Sequence, residues 1–305
     1  MTAWRALGRL WPQRRALKVL AILGALAVLG ACALWLSLPD VTPLLSANPP
    51  TTQMIELRRR QATEAGQPFE LHWSWRPLAR ISPLLRRAVV FSEDAEFWRH
   101  EGVDWEAVKQ AAERDWHERS LERGASTITQ QVAKNLYLSP SRNPIRKLRE
   151  LLIARRLERA LGKERILELY LNIAEWGDAV FGAEAAARSW YGCSAADLSA
   201  AQAARLAVAL PNPRERSPEV RSRMLDRRAA RLVRALRRAG AIDDQAMAAA
   251  ERALGVAKAE TAVPAPGEPA PQPAPETAPE TVPETTPPAA PEPAPAAPSE
   301  EPAPP

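Results

Sequence analysis

The chain has 305 residues, of which 46% are hydrophobic and 25% are charged, and its formal net charge is +5. This length and this hydrophobic content are enough for a real folded core. The chain holds two cysteines, Cys32 and Cys193, which excludes a disulfide framework, so side-chain packing has to stabilise the fold.

The first predicted element is a membrane-spanning helix over residues 19–38, VLAILGALAVLGACALWLSL, a stretch without a charge. About twenty apolar residues are what an α-helix needs to cross a bilayer. Residues 1–18 carry five bases and no acid, so the positive-inside rule places them in the cytoplasm and the chain beyond Asp40 outside. A cleaved signal peptide is the alternative, but it needs a shorter apolar core and a small-residue cleavage site.

Residues 39–52 are rich in proline and are interpreted as a juxtamembrane linker. Residues 53–256 have helical periodicity in nearly every segment and predict a mainly α domain. Asn143 and Pro144 are typical of a helix start, Gly162 of a break before a second helix, and Pro211 and Gly240 of helix ends. A short strand is expected only within residues 69–75.

Residues 257–305 are almost entirely Pro, Ala, Glu and Thr, which predicts a disordered, partly polyproline-like tail. From Glu260 onward the tail has eight glutamates and no base, so residues 19–259 carry a net charge of +8. A basic domain beside a bilayer suits anionic lipid surfaces or phosphate-bearing ligands. Nucleic acid is not an expected partner outside the membrane.

The first candidate site is the stretch FSEDAEFWRHEGVD, residues 91–104, which contains five carboxylates and a histidine. A solvated helix end is one interpretation. A metal site is less favoured, because Glu93, Asp94 and His100 lack the spacing of helical zinc ligands. The third interpretation is a carboxylate against apolar neighbours, whose raised pKa makes it a proton acceptor.

Two further clusters follow. In GASTITQQVAKN, residues 124–135, Thr127 and Gln130 predict a capping box at a helix start, where free N–H groups attract anions. In RKLRE, Arg146 and Glu150 lie one helical turn apart, and as a surface pair they would contribute only ~0.3–0.5 kcal/mol. Together the three clusters offer two acids, a helix terminus and several cations, which suit displacement of a phosphorylated leaving group from a sugar.

Five ordered motifs resemble those of the peptidoglycan glycosyltransferases. They are EDxxFxxHxGxD from Glu93, GxSTITQQxxKN from Gly124, RKxxE from Arg146, KxxILExYLN from Lys163 and GxxxAAxxWYG from Gly182. The resemblance covers about residues 75–214. No Ser-x-x-Lys or Lys-Thr-Gly signature follows, so the chain resembles the monofunctional members rather than the bifunctional penicillin-binding proteins.

The resemblance implies a lysozyme-like α domain that polymerises lipid II into β-1,4 glycan strands at the outer face of the inner membrane. Glu93 matches the general base that activates the acceptor hydroxyl, and undecaprenyl pyrophosphate leaves with inversion. Glu150 matches a second essential carboxylate near the donor pyrophosphate. The other matching positions imply substrate binding: Asp94, His100, Ser126, Thr127, Gln130, Gln131, Lys134, Asn135, Arg146 and Lys147.

The resemblance allows a divalent cation such as Mg²⁺, and it makes lipid II, the growing glycan and the division or elongation machinery the expected partners. One departure is Cys193, which stands where the family commonly has lysine. Two other functions remain open: a muralytic hydrolase, which would also use two carboxylates, and a catalytically inactive membrane-tethered scaffold.

Overall fold

The computed structural model describes residues 3–118, 126–141, 143–216, 218 and 222–256. The predicted tail, residues 257–305, lies outside the described residues. Contacts divide the chain into two units, residues 1–259 and residues 260–305.

The predicted membrane-spanning segment is part of a longer helix, α1 (Ala3–Leu36). Within α1, Leu17–Leu36 is long and apolar enough to cross a membrane, with a mean hydropathy of 2.5. Large apolar side chains along this stretch are exposed, including Leu20, Leu23 and Leu29. Exposed apolar side chains all along a helix are typical of a segment that lipid, and not protein, surrounds.

The segment predicted as a linker is packed onto the domain. Leu38, Val41 and Leu44 are almost fully buried in the main core, and residues 42–45 form a short 3₁₀ helix. Helix α2 (Gln53–Glu64) follows, with the Thr52 side chain accepting a hydrogen bond from the Ile55 amide. The proline content indicated a connection, but it could not show that three apolar side chains fix that connection to the core.

The remaining structure is mainly helical, as predicted. The other helices are α3 (Pro83–Glu93), α4 (Trp105–Glu118), α5 (Ile128–Tyr137), α6 (Pro144–Ala160), α7 (Lys163–Ile173), α8 (Ala183–Tyr191), α9 (Ala200–Ala209), α10 (Arg223–Arg238) and α11 (Asp244–Ala253). The predicted boundaries at Asn143, Gly162 and Gly240 are confirmed within one or two residues.

A small sheet lies beside the helices. It contains β1 (His72–Trp73), β2 (Glu175–Gly177) and β3 (Val180–Phe181), in the order β1-β3-β2. Strand β3 pairs with β1 in parallel and with β2 antiparallel. The predicted strand within residues 69–75 is therefore confirmed as a shorter β1, whereas β2 and β3 were not predicted.

The main core lies between α3, α5, α6, α7 and α8. Helix α5 packs against both α6 and α7. Fully buried side chains there include Phe97, Ile128, Ile153, Tyr170 and Trp176. A smaller core joins α9, α10 and α11, and α3 packs against α9 and α10. Helices α3, α5, α6 and α7 therefore form the frame that holds the candidate site.

Candidate active site

Glu93 is the last residue of α3. The helix begins where the Ser82 side chain accepts a hydrogen bond from the Leu84 amide, with a proline next to the cap. Leu85 and Val89 are fully buried and share a helix face with Glu93, because the three residues recur at intervals of four. The packing of α3 therefore turns the Glu93 side chain inward.

The Glu93 carboxylate is partly buried and has one hydrogen-bond donor. Gln131 Nε2 donates to Glu93 Oε2 at 2.9 Å, and no described residue donates to Oε1. Burial raises the pKa of Glu93 above its ordinary value, although the Gln131 hydrogen bond and the Lys134 charge act in the opposite direction. This environment matches the third interpretation of the acidic stretch, a carboxylate that can accept a proton.

Asp94 and His100 connect the first motif to the second. His100 Nε2 lies 2.9 Å from Asp94 Oδ1, and the Ile128 amide donates to Asp94 Oδ2 at 2.9 Å. The Gly102 amide donates to His100 Nδ1, so the other ring nitrogen carries the proton toward Asp94 in the neutral ring. Thr127 Oγ1 donates to the Gly102 carbonyl at 2.7 Å. These bonds position the start of α5 next to Glu93, and direct contact of Asp94 or His100 with substrate stays a prediction.

The predicted capping box at Thr127 forms only in part. The Gln130 amide N–H donates to Thr127 Oγ1, as predicted. The Gln130 side chain does not return the bond, because its Nε2 donates to the Gly102 carbonyl and its Oε1 accepts from Lys147 Nζ at 3.0 Å. The prediction is therefore wrong for Gln130, whose side chain connects α5 to α6.

Glu150 is a buried carboxylate, not part of an exposed surface pair. It is 3% exposed, Arg146 Nη1 donates to its Oε2 at 2.8 Å, and Lys147 Nζ donates to its Oε1. Lys147 also donates to Ser126 Oγ at 3.3 Å. The surface-pair interpretation is wrong because α6 packs on α5 with this face inward. The Arg146 guanidinium and the Glu150 carboxylate are therefore both largely shielded from water.

Lys134 on α5 lies within the electrostatic reach of both carboxylates. Burial lowers the pKa of its ammonium, while Glu150 and Glu93 act to raise it. Among the described residues, none accepts a hydrogen bond from Lys134 Nζ. Lys134 is thus a cation influenced by two acids, and within the described ranges its three N–H donors have no acceptor, so they can bind a ligand.

Two cavities lie near the Gln131–Glu93 hydrogen bond, one lined by Glu93 and the other by Gln131. One, of about 240 Å³, is lined by Glu93, Asp94, Ser126 and Thr127 together with Phe91 and its neighbours. The other, of about 210 Å³, is lined in part by Gln131, Lys134 and Asn135. The Gln131–Glu93 hydrogen bond joins the two. Lys147 of the third motif donates to Ser126 of the second, and Glu150 acts on Lys134, so these residues of the first three motifs lie in one region.

Two residues of this region were not predicted. Tyr170 on α7 donates through its hydroxyl to Gln131 Oε1 at 3.2 Å. Glu158 on α6 accepts from Thr129 Oγ1 at 2.6 Å and from Lys163 Nζ at 2.7 Å. Tyr170 belongs to the fourth motif, which is the one signal that could have found it, whereas Glu158 stands in no motif quoted above.

Comparison with known proteins identifies the family of the chain. The family model described as Transglycosylase matches residues 61–237. The chain belongs to the transglycosylase family. Two proteins called "Biosynthetic peptidoglycan transglycosylase" illustrate the likeness. The one from Bordetella avium is 52% identical over 172 residues, 55% of this chain and 72% of the relative. The one from Azoarcus sp. strain BH72 is 44% identical over 214 residues, 70% of this chain and 87% of the relative.

The transglycosylase match spans every candidate site residue, from Glu93 to Glu150, and it confirms the family expected from the five motifs. It also includes Cys193, which stands where the family commonly has lysine. Cys193 is a free, partly buried cysteine, and burial raises the pKa of its thiol. A neutral thiol cannot supply the positive charge of a lysine at this place.

Proposed function

We propose that this transglycosylase polymerises lipid II and that Glu93 is its general base. Glu93 takes the proton of the 4-hydroxyl of the acceptor sugar as that oxygen attacks C1 of the donor sugar. The C1–oxygen bond to the lipid pyrophosphate breaks, and undecaprenyl pyrophosphate leaves with inversion at C1. The observation that carries the proposal is the partly buried Glu93 carboxylate, whose Oε1 accepts no hydrogen bond from a described residue and which lies within reach of the Lys134 charge.

The raised pKa of Glu93 suits this role. A general base works best when its pKa lies nearer the working pH, and a positioned base contributes typically ~10²–10⁴-fold to the rate. The Lys134 charge opposes the rise of the Glu93 pKa, and no hydrogen bond links the Lys134 and Glu93 side chains in the described part of the chain.

The cations suit the departing pyrophosphate. Lys134 has free donors, Lys147 can exchange Ser126 for a phosphate oxygen, and Arg146 Nε has no partner among the described residues. Fixed positive charge that faces developing negative charge stabilises a transition state. Glu150 keeps Arg146 and Lys147 in place, so its proposed role is to organise the cations that bind the pyrophosphate.

The described residues do not fit a protein-held divalent cation at this site. No group of three His, Cys, Asp or Glu side chains that could hold a metal ion occurs in the described part of the chain. Both oxygens of Glu150 accept hydrogen bonds from cationic side chains, which compete with a metal ion for the same lone pairs. No step of the proposed reaction is therefore assigned to a metal.

The proposal includes an anchor in the inner membrane, with residues 1–18 in the cytoplasm and the domain of residues 53–256 outside. The apolar part of α1 supports membrane attachment. Arg156 connects α1 to the domain, since its guanidinium lies 4.4 Å from the centre of the Trp35 ring and donates to the carbonyls of Trp35 and Leu38. A lipid-linked substrate needs this proximity to the bilayer.

Purified full-length protein in detergent, given lipid II, is expected to produce glycan polymer, and Glu93→Gln is expected to abolish it. Glu64→Gln, an exposed carboxylate at the end of α2, is the matched control and should leave polymerisation unchanged. Full activity of Glu93→Gln would refute the role of Glu93. Release of muropeptides from finished cell wall, without polymer from lipid II, would instead indicate the hydrolase.

A further inference from the structure

A chain of two hydrogen bonds connects Tyr170 to Glu93. The Tyr170 hydroxyl donates to Gln131 Oε1 at 3.2 Å, and Gln131 Nε2 donates to Glu93 Oε2 at 2.9 Å. The three residues belong to α7, α5 and α3, so the chain crosses the centre of the frame. In this chain of bonds, Tyr170 reaches Glu93 only through Gln131.

The two bonds select one orientation of the Gln131 amide. A carboxylate accepts hydrogen bonds and does not donate them, so the Gln131 NH₂ group has to face Glu93. The carbonyl oxygen then faces the opposite way, where only a donor can satisfy it. A rotated amide would place its oxygen against the Glu93 carboxylate, acceptor against acceptor, and would lose the bond to the base.

Tyr170 is well suited to be a permanent donor. Tyr170 is 1% exposed and lies on α7, which packs against α5. The surrounding side chains therefore hold its ring in place. Burial, together with the negative charges of Glu93 and Asp94, raises the pKa of the phenol well above its ordinary value. The hydroxyl is therefore a donor at neutral pH.

We propose that Tyr170 is a positioning residue, which acts through Gln131 to hold Glu93 Oε2 and so leaves Oε1 available for the proton of the acceptor. This inference rests on the proposed role of Glu93 as the base. The fourth motif then takes part in the reaction through Tyr170, a side chain that does not need to contact the substrate.

The charged surroundings of Glu93 are few, which makes a pH measurement informative. Asp94 follows it in the chain and raises its pKa, while Lys134 on α5 lowers it. Helices α9 and α10 also pack on α3, but within the described residues neither contributes a charged group that acts on Glu93. A shift in the Glu93 titration after a change at Tyr170 would thus report the hydrogen-bond chain.

The test is Tyr170→Phe in the full-length protein, which keeps the ring and removes the donor. Loss of one hydrogen bond of this kind is expected to lower kcat roughly 3- to 10-fold, with the KM for lipid II unchanged. The acid limb of the kcat–pH profile should move to higher pH, because a Gln131 amide that Tyr170 no longer holds donates less effectively to Glu93 Oε2, and that bond favours the charged form of Glu93. Tyr137→Phe on α5, whose hydroxyl makes no hydrogen bond with a described residue, is the matched control.

A double variant separates this role from a general effect on folding. Tyr170 acts only through Gln131, so adding Tyr170→Phe to Gln131→Met should cost no further activity. Additive losses, or an acid limb of Tyr170→Phe that coincides with that of the unchanged protein, would overturn the inference. If Tyr170→Phe does not fold, Gln131→Met alone must still move the acid limb to higher pH.

The Glu93→Gln variant separates this inference from the assignment of the base. If Glu93→Gln polymerises lipid II normally, the assignment of Glu93 as the base fails and this inference fails with it. If Glu93→Gln is inactive and Tyr170→Phe is unaffected, only this inference is rejected.

Discussion

Replacing Glu93 by Gln is expected to stabilise the folded domain at neutral pH while it abolishes polymerisation. The reason is the raised pKa of Glu93, which means that its surroundings on balance disfavour the ionised carboxylate. Gln has nearly the same shape and no charge, so it removes the cost of burying that charge. Gain of stability with loss of activity is typical of a side chain kept for chemistry.

The sign and the size of this change in stability follow from the linkage between protonation and folding. A folded-state pKa above the unfolded value of 4.5 means that the folded protein loses stability as the pH rises from 4.5 through the raised pKa. One amide hydrogen bond and one nearby cation offset part of the burial, so we expect a net gain on the order of 1 kcal/mol for Glu93→Gln above that range. In a domain of this size that corresponds to about 2–4 °C in Tm.

Thermal unfolding in detergent at pH 4.5 and at pH 8 measures this effect, and the Tm difference between variant and unchanged protein should be larger at pH 8. Glu184 supplies a control of opposite sign. It is fully buried, but hydrogen bonds from Arg76, Arg188 and the Ala195 amide hold its pKa at about 2. Glu184→Gln should therefore lower the stability at pH 8 by on the order of 2 kcal/mol. A lower Tm for Glu93→Gln at pH 8 would refute the reasoning.

Three further results are expected. Glu150→Gln leaves Arg146 and Lys147 without their carboxylate, so polymerisation should fall by ~10²-fold or more and the unfolding free energy by about 1–2 kcal/mol, measured by lipid II turnover and thermal unfolding. Phe97→Ala, at a fully buried ring, should cost about 3–5 kcal/mol in urea unfolding, whereas the exposed neighbour Trp98→Ala should cost less than about 0.5 kcal/mol. Deleting residues 261–305 should leave the polymerisation rate nearly unchanged, and a large loss would contradict the interpretation of this segment as solvated length.

The parts of the fold that sequence predicted well depend on local signals. Asn143 accepts a hydrogen bond from the Ile145 amide, so the cap and the first turn of α6 are determined by neighbouring residues. The break at Gly162 has the same local origin. The strands β2 and β3 were missed because they are two or three residues long, too short for alternation to be seen. The pairing of β3 with β1 joins residues about a hundred positions apart, such as His72 and Val180.

Periodicity alone also failed to identify which face of α6 is buried. Ile145 and Leu148 are 62% and 45% exposed, whereas Glu150 is buried. The reason is that Arg146 and Lys147, on α6 itself, donate to the carboxylate, and Lys147 also donates to Gln130 Oε1 of the facing helix α5, so the buried carboxylate has donors. The family motif identified Glu150 as a site residue, but the residues around it gave no sign of its burial.

The motifs predicted which residues belong to the site, whereas the hydrogen bonds between those residues depend on tertiary packing. Tyr170 and Gln131 are 39 positions apart, so no spacing rule joins them. The same holds for Asp94 and the Ile128 amide, 34 positions apart. A motif records that such residues occur together; only the packing of α3, α5 and α7 shows which side chain restrains which.

Helix α6 also relates the site to the membrane. Arg149 donates to the carbonyl of Ser37, and Arg156 donates to the carbonyls of Leu38 and Trp35. Glu150 follows Arg149 directly and precedes Arg156 by six residues, which is about 9 Å along a helix at 1.5 Å per residue. Helix α6 therefore holds both the end of α1 and Glu150, the carboxylate proposed to organise the pyrophosphate site. A substrate whose lipid stays in the bilayer needs its phosphates bound near the membrane, and the attachment of α1 to the helix that carries Glu150 suits this requirement.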